Sequence, residues 1–412
     1  MSSEDPSAAD KATGMTADPS WPAITYEPEL WVPTSHMTWD PRTQQTLGHQ
    51  QYMSARPPFI AGRVPVPSVE ATSASRRAEQ ELTRFDAELG ARVASFGPVL
   101  LRSEAASSSQ IENLTASARA IFSAELGART GRNAQQIAAN TKAMQAAVDL
   151  SREVTPATIQ RMHATLMKDD SRHSPGEWRE EAVWIGTRSD SPIGASFVAP
   201  NHRLVPDLIE DLTRFATDSR VPALVSVAVA HAQFETIHPF TDGNGRTGRA
   251  LAQSLLRHRG VTRSVAVPVS AGLLADVEGY HQALTSYREG DLDPVVLAFA
   301  HAALRAVNNS RQLVADIDEV RQSWNDRLRA RRDSNAWRLL DVLVRRPVLD
   351  SATAAAELGV KQPNVYPPMR ALAEAGIVQS KEQHRMGPFW RSDEILATID
   401  AFARRAGRRG TS

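Results

Sequence analysis

The chain has no cysteine. Disulfides and thiolate chemistry are therefore excluded, which fits a reducing cytoplasm. It also has no net charge. Lys and Arg number 47, Asp and Glu number 47, and the pI is near 7.2. No global field draws it to nucleic acid or to a membrane. A basic-then-apolar start is missing, as is any apolar run of spanning length, so neither export nor a membrane span is expected. What is present is ample for a sizeable core: 412 residues, 42% of them hydrophobic. That length predicts two or three domains.

One stretch concentrates chemistry. His238-Pro239-Phe240-Thr241-Asp242-Gly243-Asn244-Gly245-Arg246-Thr247-Gly248-Arg249 sets an imidazole, a carboxylate, two glycines around an amide and two guanidiniums between two apolar segments. The segment before it, Pro222 to Ile237, is too long for a strand and reads as a buried helix. Arg246 to Arg259 reads as a second helix, with Gly260 at its C-cap. Gly243 and Gly245 then lie just before a helix N-terminus, where backbone N–H groups and the helix dipole favour an anion. Arg246 and Arg249 are three apart and share one face. The set predicts a polyphosphate cradle. Asp242 suits Mg²⁺ beside phosphate, and His238 is the group able to take a proton at neutral pH.

Competing readings fail on particular residues. A lone histidine would more often be a core histidine, but the surrounding groups argue against that for His238. A Walker loop would carry lysine and Ser/Thr where Arg249 and Ala250 stand, and would follow a strand. A hydrolytic metal held by His231, His238 and Asp242 would leave the arginines unexplained.

These residues resemble the signature of Fic-domain proteins, H-x-F-x-[D/E]-G-N-G-R-x-x-R, at every fixed position. The resemblance implies transfer of AMP from ATP to a hydroxyl of a target protein. It implies that His238 deprotonates the target Ser, Thr or Tyr and that Asp242 binds Mg²⁺. Gly243, Asn244 and Gly245 would line an anion hole, and Arg246 and Arg249 would hold the phosphate chain. Phe240 would be a core anchor.

Upstream, Ser108, Glu112 and Asn113 match the family's inhibitory motif, [S/T]-x-x-x-E-[G/N]. Glu112 would then pair with Arg249 and block the γ-phosphate. The bland alternative is a capping box, with Ser109 starting a helix and Glu112 reaching back. Further on, Ala182 to Gly186 and Ala195 to Val198 are β-prone runs around a polar turn, the one clear hairpin of the core. The resemblance, through Gly176-Glu177-Trp178-Arg179 and Trp184-Ile185-Gly186, makes this a flap. Val183, Trp184, Ile185 and Gly186 would dock the target's backbone by strand addition. Ala199 stands where the family often has proline. Tyr280 and Leu284 match a Tyr-rich pattern, so Tyr280 is either an adenosine contact or a core tyrosine. His163 reads as a packing histidine.

The expected fold is mainly α: a Fic-type helical core with a β-hairpin flap, plus a C-terminal winged helix-turn-helix-like domain. The expected divisions are 1–56, an arm with a disordered start; 57–305, the catalytic core with an inhibitory helix near 104–122; 306–332, a linker helix; and 333–412, the winged unit. In the arm, Trp21, Trp31 and Trp39 punctuate a Pro-rich stretch that either packs on the core or stays a flexible tail. In the winged unit, Lys361, Gln362, Asn364, Lys381, His384 and Arg385 would approach DNA, unless the unit docks on protein. Pro367 and Pro368 should shorten or distort its recognition helix. The resemblance also allows a homodimer and self-modification. The same pocket could run in reverse and remove AMP, use another nucleotide, or serve a DNA-binding regulator as a nucleotide sensor.

Overall fold

Helix α7 (Ala223–Ile237) is buried along its whole length after the first residue, as an uninterrupted apolar run requires. Helices from before and after it in the chain pack around it. The computed structural model describes residues 21–31, 39–40, 45–46, 50–170, 172–186, 188, 190–383 and 387–407. The first twenty residues, expected to be disordered, lie outside the described residues.

The arm opens with β1 (Thr25–Trp31), β2 (Trp39–Asp40), β3 (Gln45–Thr46) and β4 (Gln50–Arg56). β1 and β4 pair antiparallel, with Tyr26 opposite Ala55 and Pro28 opposite Met53; β2 pairs with β3. The arm packs on the core. Trp21 is buried against Phe215 and Tyr287, at 6.0 and 6.4 Å between ring centroids. Trp31 meets Trp184 edge-on at 5.6 Å. Just past the arm, the buried Asp211 carboxylate accepts the backbone N–H groups of Ile60 and Ala61.

Helices α1 (Val69–Leu89), α2 (Val93–Ile111), α3 (Ala118–Glu125), α4 (Arg132–Asp149) and α5 (Pro156–Met167) follow. Thr155 caps α5 in a capping box with Thr158, two donors satisfied at once. The sequence predicts one helix near 104–122. Instead α2 ends at Ile111, Glu112 is its C-cap, and α3 starts after a break. Ser109 does not begin a helix either: its hydroxyl donates back to the Ala105 carbonyl. The capping-box reading is therefore wrong.

The flap is β5 (Trp184–Ile185) against β6 (Phe197–Val198). It is not the one hairpin at the core, because β1 and β4 lie beside it. α6 (Val205–Ala216), α7 and α8 (Asn244–His258) come next, then α9 (Val269–Leu274), which the sequence did not lead one to expect. α10 (Val277–Arg288) leads to α11 (Asp293–Arg327), a 35-residue helix.

The C-terminal unit holds α12 (Asn335–Arg345), β7 (Val348–Leu349), α13 (Ser351–Leu358), α14 (Tyr366–Glu374), β8 (Gln379–Gln383), β9 (Gly387–Arg391) and α15 (Asp393–Gly407). Its antiparallel sheet has the order β7-β9-β8. β7 and α15 were not anticipated. Pro367 and Pro368 do not distort α14. They sit in its first turn, where the N–H groups have no intrahelical acceptor, so two missing donors cost little. His384 and Arg385 lie outside the described residues. α15 packs on α2, α3 and α11, and Asp400 accepts the Ala118 N–H at the start of α3. One apolar cluster therefore runs from Trp21 through Trp324 to Ala406.

Burial of Trp21 should anchor the arm. Trp21→Ala removes a large apolar side chain, a loss of about 3 kcal/mol or more of docking energy. Limited proteolysis of that variant should cut within 25–56 at least about tenfold faster, with the helical core intact by circular dichroism. An unchanged cutting rate would refute anchoring by Trp21.

Candidate active site

α7 ends on His238, which adopts φ 50° and ψ 61°, a left-handed conformation that costs a non-glycine residue about 1 kcal/mol or more. Its surroundings hold it there. The His238 N–H donates to the Phe234 carbonyl at 2.9 Å. Buried Arg179 donates to the carbonyls of His238 (2.8 Å), Glu181 (2.8 Å) and Pro200 (2.5 Å). One guanidinium thus ties the His238 turn to both stems of the flap. The G-x-x-R match marked Arg179, but only the fold shows what it clamps.

The ring of His238 lies 3.4 Å, through Nδ1, from the Glu235 carbonyl. A carbonyl only accepts, so Nδ1 carries the proton and Nε2 keeps its lone pair. Burial, opposed by the Glu235 contact, pushes the imidazole pKa down to about 4. The ring is therefore a free base at neutral pH.

The loop after His238 is bound from inside. Asn244 accepts from the Phe240 N–H at 2.9 Å and donates to the Phe240 carbonyl at 2.7 Å. Its amide is consumed there, so only its backbone is left for an anion. Phe240 is fully buried, stacked on His163 at 3.7 Å and flanked by Trp178 at 5.0 Å. His163 does more than pack. Gly176 N–H donates to its Nδ1 at 2.9 Å, so Nε2 carries the proton and donates to the Asp242 carbonyl at 3.0 Å. No sequence signal distinguished this histidine, because its partners lie far along the chain.

Gly243, left-handed at φ 77°, precedes α8 and offers no side-chain cap. The first N–H groups of α8 therefore lack helical acceptors and face a hollow of about 290 Å³ lined by His238, Asp242, Gly245 and Arg246. Arg246 is buried, and its Nε has no partner. Its terminal nitrogen is 3.7 Å from Asp242. An orphaned guanidinium nitrogen at a helix N-terminus suits a phosphate oxygen.

Arg249 is 2% exposed. It donates to the Ser108 hydroxyl (2.9 Å), the Ser108 carbonyl (2.7 Å) and Glu112 Oε1 (2.8 Å). Glu112 lies directly over Gly245, where a Cβ would collide with Oε1. Burial opposes ionisation of Glu112, but Arg249 outweighs it and holds the carboxyl below the usual range. The reverse holds for Arg249: burial opposes its charge, and Glu112 drives its pKa above the usual value. Asn113 turns the chain away with φ 61°.

A larger cavity of about 910 Å³ opens beside this corner, reached by His238, Glu112, Arg249, Tyr280, Arg288 and Ile185. Its size suits a nucleotide. Tyr280 is buried in its wall, and its hydroxyl is taken by His231 Nε2 at 2.7 Å. That bond favours the core-tyrosine reading and leaves only the ring for an adenosine. Ile185 is half exposed at the mouth, Trp184 donates to the Arg188 carbonyl, and Val183 packs beneath the flap. Gly186 lies against Ala195, where a Cβ would be crowded.

Asp242, Asp170 and His173 bring their ligand atoms within 4.8 Å of one another. Asp170 is gripped by Arg172. Asp242 uses Oδ1 on the Gly243 N–H and keeps Oδ2 for a further ligand. One such carboxylate beside a phosphate corner fits Mg²⁺, which takes a carboxylate or two plus phosphate oxygens.

Residues 153–256 match the model of the Fic/DOC family. The chain carries a Fic domain. A probable protein adenylyltransferase of Aquifex aeolicus is 36% identical over 93 residues, covering 20% of this chain and 29% of that protein. Protein adenylyltransferase fic-1 of Caenorhabditis elegans is 27% identical over 144 residues, covering 35% of this chain and 26% of that protein. The chain thus spans less than a third of the length of these relatives. A Fic family protein of Desulfovibrio desulfuricans superposes with a TM-score of 0.51 at 21% identity, over 80% of this chain and 98% of that one. The helical Fic fold therefore extends well beyond the matched segment.

Burial pushes the pKa of His163 down to about 4. Its folded form resists protonation, so its contribution to stability is present above about pH 6.5 and is lost as pH falls towards 4. In nitrogen-15 spectra of the imidazoles, His163 should stay neutral with Nε2 protonated from pH 8 to pH 5. A His163 ring titrating near 6.5 would contradict this geometry.

Proposed function

We propose that the chain is a Mg²⁺- and ATP-dependent protein adenylyltransferase, restrained by its own Glu112. One observation carries the reading: a free-base imidazole shares a nucleotide-sized cavity with a helix N-terminus and Arg249, and a carboxylate is seated on both. The named relatives support the reaction class.

The chemistry follows from the groups in place. Asp242 would hold Mg²⁺, which would neutralise phosphate charge when bound. The N–H groups of Asn244, Gly245 and Arg246 and the open Nε of Arg246 would cradle the phosphate tail. His238 Nε2 takes the proton of the target hydroxyl. The hydroxyl oxygen forms a bond to the α-phosphorus, and the bond from that phosphorus to the bridging oxygen breaks. Pyrophosphate leaves with the electron pair.

Glu112 opposes this in two ways. It occupies the Arg249 guanidinium that a γ-phosphate would need, and it sets a negative charge above Gly245. A triphosphate entering there meets repulsion and settles in a pose unsuited to in-line attack. Removal of AMP from a protein would use the same groups with water as the acceptor, and nothing in the site favours it over transfer.

Glu112→Gly should raise AMP transfer at least about tenfold. Purified Glu112→Gly incubated with ATP and Mg²⁺ should carry AMP adducts on itself by mass spectrometry, and the Glu112→Gly/His238→Ala protein should carry none. Activity equal to wild type would remove the autoinhibition. Adducts that survive His238→Ala would remove the assigned base.

A further inference from the structure

The cavity that holds His238 is not walled by the helical core and flap alone. Ala23, Ile24 and Tyr26 of the arm line it as well. The arm is pinned there from several sides. Ile24 N–H donates to the Arg288 carbonyl at 2.9 Å, and Gly290 is bare enough for the Trp21 backbone to approach. Glu29 accepts from Asn201 at 2.7 Å, beside the flap's second strand. Ala55, Ile24 and Val183 pack with Phe197 and Ala199 under the flap. Arm and flap therefore form one continuous rim.

That rim carries apolar groups in water. Along β1, Tyr26, Pro28 and Leu30 are exposed and alternate with the less exposed Glu27, Glu29 and Trp31. Met53 stands opposite Pro28 on β4. Tyr26, Leu30 and Met53 are 51%, 56% and 51% exposed, and Ile185 on the flap is 48% exposed. Among the described residues, Tyr26 and Ile185 line the cavity itself, and Leu30 and Met53 continue the exposed apolar face outward along the β1–β4 pair. Four residues of strand span about 13 Å. The strip therefore runs outward from Tyr26 further than a nucleobase in the cavity could reach.

We propose that β1 is a second docking wall for the target protein: an extended target segment lies between the flap and β1, with apolar side chains beside the modified hydroxyl set on Tyr26, Leu30 and Met53. The flap, pairing through its backbone, would supply register. The arm would supply the side-chain selectivity that main-chain pairing lacks. The proposal rests on the adenylyl-transfer reading, but its binding step can be measured apart from it.

The test uses full-length Glu112→Gly and the same protein with Tyr26→Ser, Leu30→Ser and Met53→Ser. The probes are fluorescent synthetic peptides with a central Thr flanked by either Leu and Val or Asp and Lys. Binding is read by anisotropy without nucleotide, transfer by labelled ATP, and ATP affinity by calorimetry. The apolar-flanked peptide should bind and react at least about tenfold better with the parent. The triple variant should lose that preference with its ATP affinity unchanged. A parent without preference, a preference that survives the three serines, or a selective fall in ATP affinity would overturn the proposal. So would a change in oligomeric state on sedimentation, which would make this face a contact between copies. Peptide binding with the expected preference but no transfer would uphold the wall and sink the reaction instead.

Discussion

The site depends on one ion pair. Arg249 is buried at the second turn of α8, and a buried guanidinium needs a partner or it destabilises the fold. Here Glu112 and the Ser108 backbone provide it. The charge is therefore satisfied within the chain, and on the function proposed above the same pair would withhold it from a phosphate. Glu112 stays 42% exposed on its side chain, so its carboxylate can leave through the cavity it faces without disturbing the core. Arg249 would then need another anion, and a phosphate tail can take that role. Structure and the proposed restraint would then share a single contact.

Everything else in the site serves to present that contact and the base beside it. His238 is held in a left-handed turn by Arg179, whose other donors grip the flap. The loop that follows is closed by Asn244 on Phe240 and by His163 on Asp242. These bonds leave the first N–H groups of α8 and the Nε of Arg246 without acceptors. A preorganised corner of unsatisfied donors binds an anion without first rearranging. Glu112 ends α2, which is packed on α4, α9 and α15, so its carboxylate is mounted on a well-packed element.

Much of this could be read in the residues. The run from His238 to Arg249 names its chemistry by its side chains, and the two glycines announce a close approach of backbone. The resemblance of Ser108, Glu112 and Asn113 to the family's inhibitory motif implied a pairing with Arg249, 137 positions further on, and the structure has that contact. Helix periodicity located α7 and α8 to within two residues. What stayed hidden was pairing at a distance. Asn244 looked like an anion ligand, but its amide closes the loop on Phe240. His163 looked like packing because Gly176 and Asp242 are its neighbours only in space. The capping-box alternative at Ser109 and Glu112 fails because the local helix ends there rather than starts. Pro367 and Pro368 seemed disruptive until a preceding 3₁₀ turn placed them in the first turn of α14. α9, only six residues long, and α15 were not foreseen.

The central claim is that Glu112 and the phosphate tail compete for Arg249. Calorimetric titration of ATP and of AMP into wild type and Glu112→Gln tests it directly, since glutamine keeps the size and removes the charge. The account predicts that the substitution strengthens ATP binding by about tenfold or more and changes AMP binding by less than about twofold. An equal gain for AMP and ATP, or no gain for either, would contradict it.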